Sequence, residues 1–261
     1  MTTLIGIPFI GQIPMLIDCI RSIKKTLANK SFYLLLLDNG THISVRRLLQ
    51  NHLTMNKCYH QMSFNKQNAG VPKSWNQIIN TFLENDVSDM FDFKYLCLLN
   101  SDVICQPPFT KKHGENPPSW LDELIAALEE TDSDMAFSSS KGNCFPIQNY
   151  DPAKERFYVT ENEELTGYCF LMTKSTIEKY GKFNESYGIG MFEETEYIHN
   201  MRKNGGKVVV ANHSHVQHLG GKTFNSIMSI TEYCRLFEVN KQYFLEKSTS
   251  KKRHGENRPE E

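Results

Sequence analysis

The stretch Tyr95-Leu96-Cys97-Leu98-Leu99-Asn100-Ser101-Asp102-Val103 decides the fold of this chain. Its first five residues are mostly apolar and run into Asn100-Ser101-Asp102, and the turn-forming residues Gln106-Pro107-Pro108 follow. A short apolar run bounded in this way is typical of a buried strand in a parallel sheet. Ligands of open α/β sheets bind beyond the carboxyl ends of the strands, where Asn100 and Asp102 would project. A carboxylate beside an amide suits Mg²⁺ or Mn²⁺ carrying a phosphate. Taken alone, the Asn-Ser-Asp tripeptide is better explained as an Asx turn that closes the strand.

The composition indicates a globular protein. The chain has 261 residues, of which 39% are hydrophobic and 23% are charged, and this suffices for one large domain with or without an appendage. The net charge of -1 creates no overall field towards nucleic acid or membranes, so nucleic acid is not an expected partner. The seven cysteines are scattered, odd in number and without a Cys-x-x-Cys pair, which argues against a disulfide framework and for a reducing compartment.

The sequence also lacks the signals of membrane targeting. Arg21 is the first positively charged residue, so the charged region of a signal peptide is missing. No apolar stretch approaches the ~20 residues that a membrane-spanning helix needs. We therefore expect a cytoplasmic protein without a transmembrane segment.

Strand and helix patterns alternate in the first half of the chain. Short apolar strands are predicted at residues 4–8, 33–37 and 59–64, and apolar residues at helical spacing follow each of them, at 14–27, 45–53 and 72–83. This repeating order predicts right-handed βαβ units and a mostly parallel central sheet flanked by helices. Each strand runs into polar or turn-forming residues, which would all lie at the edge of the sheet where ligands bind.

Three acids stand at a predicted helix start in the second half: Glu193, Glu194 and Glu196. Helix-dipole and capping chemistry alone explains acids in a first turn. The preceding segment, residues 188–192, contains two glycines and a phenylalanine, which suits a site that substrate or backbone approaches closely. A carboxylate in such a site can remove a proton from a hydroxyl group.

A short strand is predicted at residues 207–210, and three histidines follow it, His213, His215 and His218, without the spacing of a zinc motif. His213 and His215 would share one face of a strand, and we interpret both as surface or core residues. His218 precedes residues 220–223, Gly-Gly-Lys-Thr, whose backbone and side chains could approach a diphosphate. A neutral His218 could also be a metal ligand alongside Asp102, although spacing alone favours the simpler interpretation.

Taken in order, these segments resemble the family 2 glycosyltransferases of the GT-A fold, especially their rhamnosyltransferase-like branch. The resemblance covers roughly residues 3 to 225, and its specificity lies in the order and spacing of weak motifs. The segments that carry it are 5–8, 37–41, 68–76, 98–103, 167–172, 181–185, 192–196 and 218–221. The resemblance implies an α/β GT-A domain at 1–225, a C-terminal helix at 226–246 that packs on it or forms an interface, and a charged flexible tail at 247–261.

The same resemblance implies a set of site residues. The nucleotide-sugar pocket would be formed by Pro8, Phe9, Asp38, Asn68, Gly70, Lys73, Asn100, Ser101 and Gly167. Asp102 would bind Mn²⁺ or Mg²⁺ as the carboxylate of the Asp-x-Asp position, where Asn100 departs from the strict motif, and His218 would assist it. Glu193-Glu194 stands where the family usually has Glu-Asp, which implies Glu194 as the catalytic base with Glu193 as the alternative.

The implied activity is an inverting, metal-dependent glycosyl transfer from a dTDP- or UDP-sugar to an acceptor hydroxyl. The acceptor could be a glycan, a lipid-linked sugar or another hydroxyl-bearing molecule, and residues 138–164 are a candidate loop or lid on its side. Two alternatives stay open: a catalytically silent protein that binds nucleotide-sugars or glycans, and a nucleotidyltransferase. The second lacks a Gly-rich basic phosphate loop near the N-terminus. The oligomeric state is open.

Overall fold

The computed structural model describes residues 2–55, 60–84, 92–108, 117–141, 146–161 and 164–253. The strands are β1 (Thr2–Phe9), β2 (Phe32–Asp38), β3 (Gln61–Phe64), β4 (Phe93–Leu99), β5 (Val103–Cys105), β6 (Met135–Ser140), β7 (Phe157–Val159), β8 (Cys169–Thr173) and β9 (Val208–His218). The helices are α1 (Ile13–Thr26), α2 (Ile43–Met55), α3 (Val71–Glu84), α4 (Trp120–Thr131), α5 (Lys174–Tyr180), α6 (Glu193–Lys203), α7 (Lys222–Ile227) and α8 (Ile230–Arg253).

All nine strands form one sheet, in the order β3-β2-β1-β4-β8-β6-β9-β5, and β7 pairs with β9. The pairs β3-β2, β2-β1 and β1-β4 are parallel, as the βαβ pattern predicts. Beyond β4 the sheet is mixed, because β8 pairs antiparallel with both β4 and β6, whereas β6 and β9 are parallel. The α/β fold with flanking helices is confirmed, and its parallel part is the half next to the N-terminus.

Alternate residues of the central strands supply two separate cores, one on each face of the sheet. In β2, Leu34 and Leu36 belong to the core that contains Trp120 of α4, whereas Leu35 and Leu37 belong to the core that contains Trp75 of α3. Side chains alternate across a strand, so a strand that is covered on both faces must be apolar at nearly every position. This is why the strands read as continuous apolar runs.

The helices begin where the local sequence favours it. Helix α1 has a proline in its first turn and lysines in its last, and buries Leu16, Ile20 and Ile23 against the sheet. Helix α4 begins with a capping box, in which Ser119 and Asp122 satisfy each other's backbone N–H groups. No helix among the described residues is both long enough and apolar enough to cross a membrane.

Three parts of the second half differ from the sequence prediction. Strand β9 continues to His218, well past the predicted end at residue 210, and a register shift after Ser138 of β6 accommodates it. Strand β7 lies in the stretch predicted to be irregular. Helix α8 continues to Arg253, past the predicted start of the tail at residue 247, while residues 254–261 and parts of the predicted 138–164 loop lie outside the described residues. The division into domain, helix and tail stays a prediction.

Candidate functional site

The Asn100-Ser101-Asp102 segment is a tight turn between β4 and β5. The N–H of Val103 donates to Asn100 O at 3.3 Å, and the N–H of Asn100 donates to Tyr168 O at 2.8 Å. Ser101 and Asp102 are 5% and 4% exposed. The observed turn is closed by backbone atoms, and it is compatible with a ligand site because it holds the Asp102 carboxylate at the sheet edge.

The pairing of β5 with β9 brings His218 to Asp102. Val103 lies opposite His218 in the antiparallel register, and the N–H of Leu219 donates to Asp102 O at 3.0 Å. The His218 Nε2 and Asp102 Oδ1 atoms are 3.4 Å apart. The imidazole stacks on the Tyr168 ring, with centroids 4.7 Å apart and planes at 21°, so its orientation is constrained.

Asp102 and His218 fit a divalent cation as a pair of adjacent ligands. Two cis ligands of an octahedral cation lie about 3 Å apart when each bond is near 2.1 Å, close to the observed separation. Carboxylate oxygen and imidazole nitrogen together suit Mn²⁺ better than Mg²⁺, which prefers oxygen. Among the described residues, no cluster of three or more His, Cys, Asp or Glu side chains could hold a metal.

Glu193 and Glu194 form the first turn of α6, as predicted. Glu193 is 4% exposed, and Glu194 is half-buried. Glu194 Oε1 accepts a hydrogen bond from the N–H of Gly167 at 3.1 Å, whereas the Oε2 atoms of both acids are shielded from solvent and have no hydrogen-bond partner among the described residues. Burial raises the pKa of both carboxyls, and the neighbouring Glu194 raises the pKa of Glu193 further.

Gly167 and Tyr168 lie between the Asp102–His218 pair and the Glu193–Glu194 pair and contact both. Gly167 donates to Glu194, while the Tyr168 ring stacks on His218 and its carbonyl accepts from Asn100. A Cβ atom at position 167 would lie 2.7 Å from the Trp75 ring, so only glycine fits there without rearrangement. The backbone at 167–168 thus spans from the Asp102–His218 pair to the Glu193–Glu194 pair. The family resemblance implied that Gly167 is a site residue, whereas no motif in the sequence indicated a role for Tyr168.

Asp38 lies at the end of β2 with its carboxylate fully buried. Its Oδ2 atom accepts from Arg46 Nε at 2.6 Å, and its Oδ1 atom accepts from the N–H of Thr41 at 2.8 Å. These contacts hold the β2–α2 connection, a structural role that the sequence did not indicate. The contact with a nucleotide base stays a prediction.

A network of amide side chains adjoins Asp38. The Asn39 Nδ2 donates to Asn68 Oδ1 at 2.8 Å, and Asn39 Oδ1 accepts from Asn65 Nδ2 and from the N–H of Ala69, at 3.0 and 2.9 Å. Asn68 also accepts from the N–H of Gly70 at 3.0 Å. Asn39 is the centre of this network and was missed by the motif comparison, although its position directly after a buried strand is the same signal that selected Asn100.

The other predicted pocket residues lie at the same edge with different exposures. Pro8 is partly exposed at the end of β1, and Lys73 is exposed in the first turn of α3. Phe9 is 2% exposed and belongs to the hydrophobic core, so its side chain does not line a pocket as predicted. The Phe9 carbonyl instead accepts from the N–H of Asn39 at 2.7 Å. The ligand contacts of all predicted site residues stay predictions.

The other two histidines of this stretch, His213 and His215, also lie in β9 and do not belong to the Asp102–His218 pair. His215 is 8% exposed and packs against the Tyr150 ring at 5.6 Å. Burial, and then the charge of Lys141, lowers its pKa to about 4, so it is neutral at physiological pH. This placement agrees with the interpretation of His215 as a core residue.

A cleft of about 420 Å³ adjoins the Asp102–His218 pair. It lies between α1 and the segment from Leu219 into α7, and its lining residues are Gln12, Met15, Asp18, Ile104, Leu219, Lys222 and Ser226. Leu219 directly follows His218, and Ile104 lies in β5 just after Asp102. The lining thus contains chain neighbours of Asp102 and His218, whereas these two residues themselves do not line the cleft.

Comparison with solved structures identifies the fold. One is a structure of GalNAc-T7 with UDP, GalNAc and Mn²⁺, matched with a TM-score of 0.60 and 14% identity over 83% of this chain and 43% of that one. A second is TarS of S. aureus, with a TM-score of 0.57 and 12% identity over 87% of this chain and 38% of that one. The mannosyltransferase PcManGT of Pyrobaculum calidifontis, in complex with GDP-Man and Mn²⁺, has a TM-score of 0.60 and 8% identity over 86% and 59% of the two chains.

These similarities show that the chain has the GT-A fold. At 8–14% identity they concern the fold alone, and this chain spans only 38–59% of the length of those proteins. No family model and no curated protein matches the sequence.

Proposed function

We propose that this protein is a metal-dependent glycosyltransferase that moves a sugar from a nucleoside-diphosphate donor to an acceptor hydroxyl. The observation that carries the proposal is the placement of two residue pairs on opposite sides of Gly167-Tyr168. The Asp102–His218 pair lies on one side of Gly167-Tyr168 and the Glu193–Glu194 pair on the other, at one edge of a GT-A sheet. A donor diphosphate at the first pair would place its sugar between the two centres.

On the donor side, Asp102 and neutral His218 would hold Mn²⁺ or Mg²⁺, which when bound neutralises charge that develops on the leaving diphosphate. Tyr168 keeps the His218 ring in place by stacking. The hydrogen-bonded network of Asn39, Asn68 and Gly70 would form a rigid polar surface that contacts the nucleotide, and the exposed Lys73 follows it in the chain. Fixed polar groups favour binding because they need no reorganisation.

On the acceptor side, Glu194 would remove the proton from the attacking hydroxyl. Its Oε1 is oriented by Gly167, and its Oε2 has no hydrogen-bond partner in the part of the chain that the structure describes, so this atom could accept that proton. A carboxyl whose pKa is raised by burial is a stronger base than an ordinary glutamate. Glu193 is more buried, and the neighbouring Glu194 raises its pKa further, so Glu194 is the acid of the pair that ionises more readily.

The finer assignments rest on the sequence motifs. They favour an inverting reaction in which the acceptor attacks opposite the leaving diphosphate, a dTDP- or UDP-sugar as donor, and membership of family 2 near the rhamnosyltransferase-like branch. The solved neighbours hold UDP in one case and GDP-Man in another, so guanosine donors belong in the first screen. The acceptor would be a glycan, a lipid-linked sugar or another hydroxyl-bearing molecule.

The test is a thermal-shift panel of UDP-, dTDP- and GDP-sugars, each with Mn²⁺, with Mg²⁺ and with EDTA. A ligand at one hundred times its Kd stabilises the folded state by about 2.7 kcal/mol, which corresponds to a rise of roughly 5–10 °C in Tm for a domain of this size. We expect such a rise for one nucleotide family with metal present, and its loss in Asp102→Asn. The matched control is Asp132→Asn, because Asp132 is fully exposed and remote from the site.

Turnover separates this proposal from its alternatives. Glu194→Gln should keep the donor-induced rise in Tm and lower the release of nucleoside diphosphate by about 10²–10⁴-fold, the usual contribution of a general base. Metal-dependent binding without turnover by the parent protein would indicate a silent nucleotide-sugar-binding protein. Formation of pyrophosphate from a nucleoside triphosphate and a sugar 1-phosphate, without release of nucleoside diphosphate from any NDP-sugar, would indicate a nucleotidyltransferase. Absence of stabilisation by every donor would contradict the proposal.

A further inference from the structure

The segment that leads into Glu193 has an unusual backbone. Met191 and Phe192 both have positive φ angles, 79° and 72°, although neither is a glycine. A left-handed conformation is unfavourable for residues that carry a side chain, because the Cβ atom comes too close to the following carbonyl oxygen. Conformations of this kind persist only where the surroundings enforce them. Because α6 starts at Glu193 immediately afterwards, the direction of both acidic side chains depends on what holds this turn.

Asn240 of α8 contacts the turn through its side-chain amide. The residue is 5% exposed, and its Nδ2 donates to Tyr187 O at 3.0 Å, Gly190 O at 2.7 Å and Met191 O at 3.3 Å. One amide group therefore links three carbonyls of a turn about fifty residues earlier in the chain. Losing the amide would remove this donor from the carbonyls of Gly190 and Met191, which is costly in a buried place, whereas Tyr187 O would keep the N–H of Gly190.

Aromatic and charged contacts from the same face of α8 support this interaction. The Phe192 ring packs against Phe237 and Phe244, with centroids 5.1 and 6.0 Å apart, and Lys247 Nζ lies 2.6 Å from Glu196 Oε1. Positions 237, 240, 244 and 247 follow each other at intervals of three and four, so they form one stripe along the helix. The stripe faces the turn and the start of α6.

We propose that Asn240 is a positioning residue for the Glu193–Glu194 pair, acting through the Tyr187–Met191 turn without touching substrate. This inference rests on the proposed function. The amide holds the turn in its left-handed conformation, and the turn sets where Glu194 meets Gly167 and the acceptor hydroxyl. Helix α8 is thereby part of the catalytic apparatus, although it contributes no side chain to the reacting groups.

The experiment compares Asn240→Ala and Asn240→Asp with Leu53→Ala in the full chain. Asp has the shape of Asn but lacks its N–H donors, so both Asn240 variants remove the same hydrogen bonds. Leu53 is fully buried in α2, away from the acidic pairs, and its truncation controls for loss of stability alone. With the donor found in the screen, we expect kcat to fall at least tenfold in both Asn240 variants. The donor KM should stay within twofold, and the pH profile of kcat should shift.

A second readout is independent of activity. Hydrogen exchange at the Gly190 and Glu196 amides, which donate to Tyr187 O and Phe192 O, should accelerate about tenfold in the Asn240 variants and stay unchanged in Leu53→Ala when compared at equal distance below Tm. Unchanged exchange at these amides, or kcat and pH profile equal to those of Leu53→Ala, would overturn the positioning role. Accelerated exchange in a protein that turns over no donor would instead contradict the proposed function and leave the structural role of Asn240 standing.

Discussion

Replacement of Gly70 by alanine tests whether the two halves of the site are held together by backbone contact. Gly70 has φ +85°, and a Cβ atom there would lie 1.8 Å from Gly188 O. The N–H of Val71 donates to Ile189 O at 3.0 Å, so the amide network of Asn39, Asn68 and Gly70 meets the turn before Glu193 at this point. A side chain at position 70 must push these two segments apart.

The magnitude follows from two contributions. The left-handed backbone costs an alanine roughly 1–2 kcal/mol, and forcing extra volume into a packed site costs typically another 1–3 kcal/mol. We expect Gly70→Ala to destabilise the protein by about 2–5 kcal/mol, which is a fall of roughly 5–20 °C in Tm for a domain of this size. Donor turnover should fall as well, because the turn carries Glu194.

The matched control is Gly205→Ala, measured in the same thermal melts. Gly205 has φ +77°, but a Cβ atom there would have no neighbour within 4 Å, so only the backbone contribution applies. Its Tm should fall by roughly 2–8 °C. Equal Tm values for the two variants would refute the expected steric destabilisation at position 70. A Gly70→Ala variant with parental turnover would refute the link between this contact and the acidic pair.

Two further perturbations probe the buried charges. Glu193→Gln should stabilise the protein, and the stabilisation should increase between pH 4 and pH 8. A carboxyl with a raised folded-state pKa does not lower the free energy of unfolding below its unfolded-state pKa of about 4.3. Above that pKa it lowers the free energy of unfolding by about 1.4 kcal/mol per pH unit until the raised pKa is reached. Melts of both proteins across this range check it, and a constant difference in Tm would contradict it. Asp38→Ala should cost about 3 kcal/mol, since it leaves Arg46 unpaired at 16% exposure. Denaturant unfolding checks this, and Asp18→Ala, which breaks only the exposed Asp18–Arg21 pair, should stay within about 1 kcal/mol of the parent.

The site could be predicted from sequence where it follows a buried strand or begins a helix. Asp102 and Asn100 come directly after β4, and Glu193 and Glu194 start α6, so periodicity alone placed all four at element ends. Phe9 shows the limit of the family resemblance. The resemblance implied that Phe9 is a pocket residue, but its side chain lies in the core. Whether a strand-end side chain faces the ligand or the core depends on which helix covers that face.

The amino-acid sequence by itself determined the alternating strands and helices, because continuous apolar runs and helical spacing are local properties that burial on both faces requires. The tertiary structure alone decided the pairings between distant segments. His218 meets Asp102 only because β9 extends past its predicted end and pairs with β5 in one register. Asn240 meets the turn before Glu193 only because α8 packs across it. Such contacts depend on strand register and helix docking, which the whole core sets and no local pattern encodes.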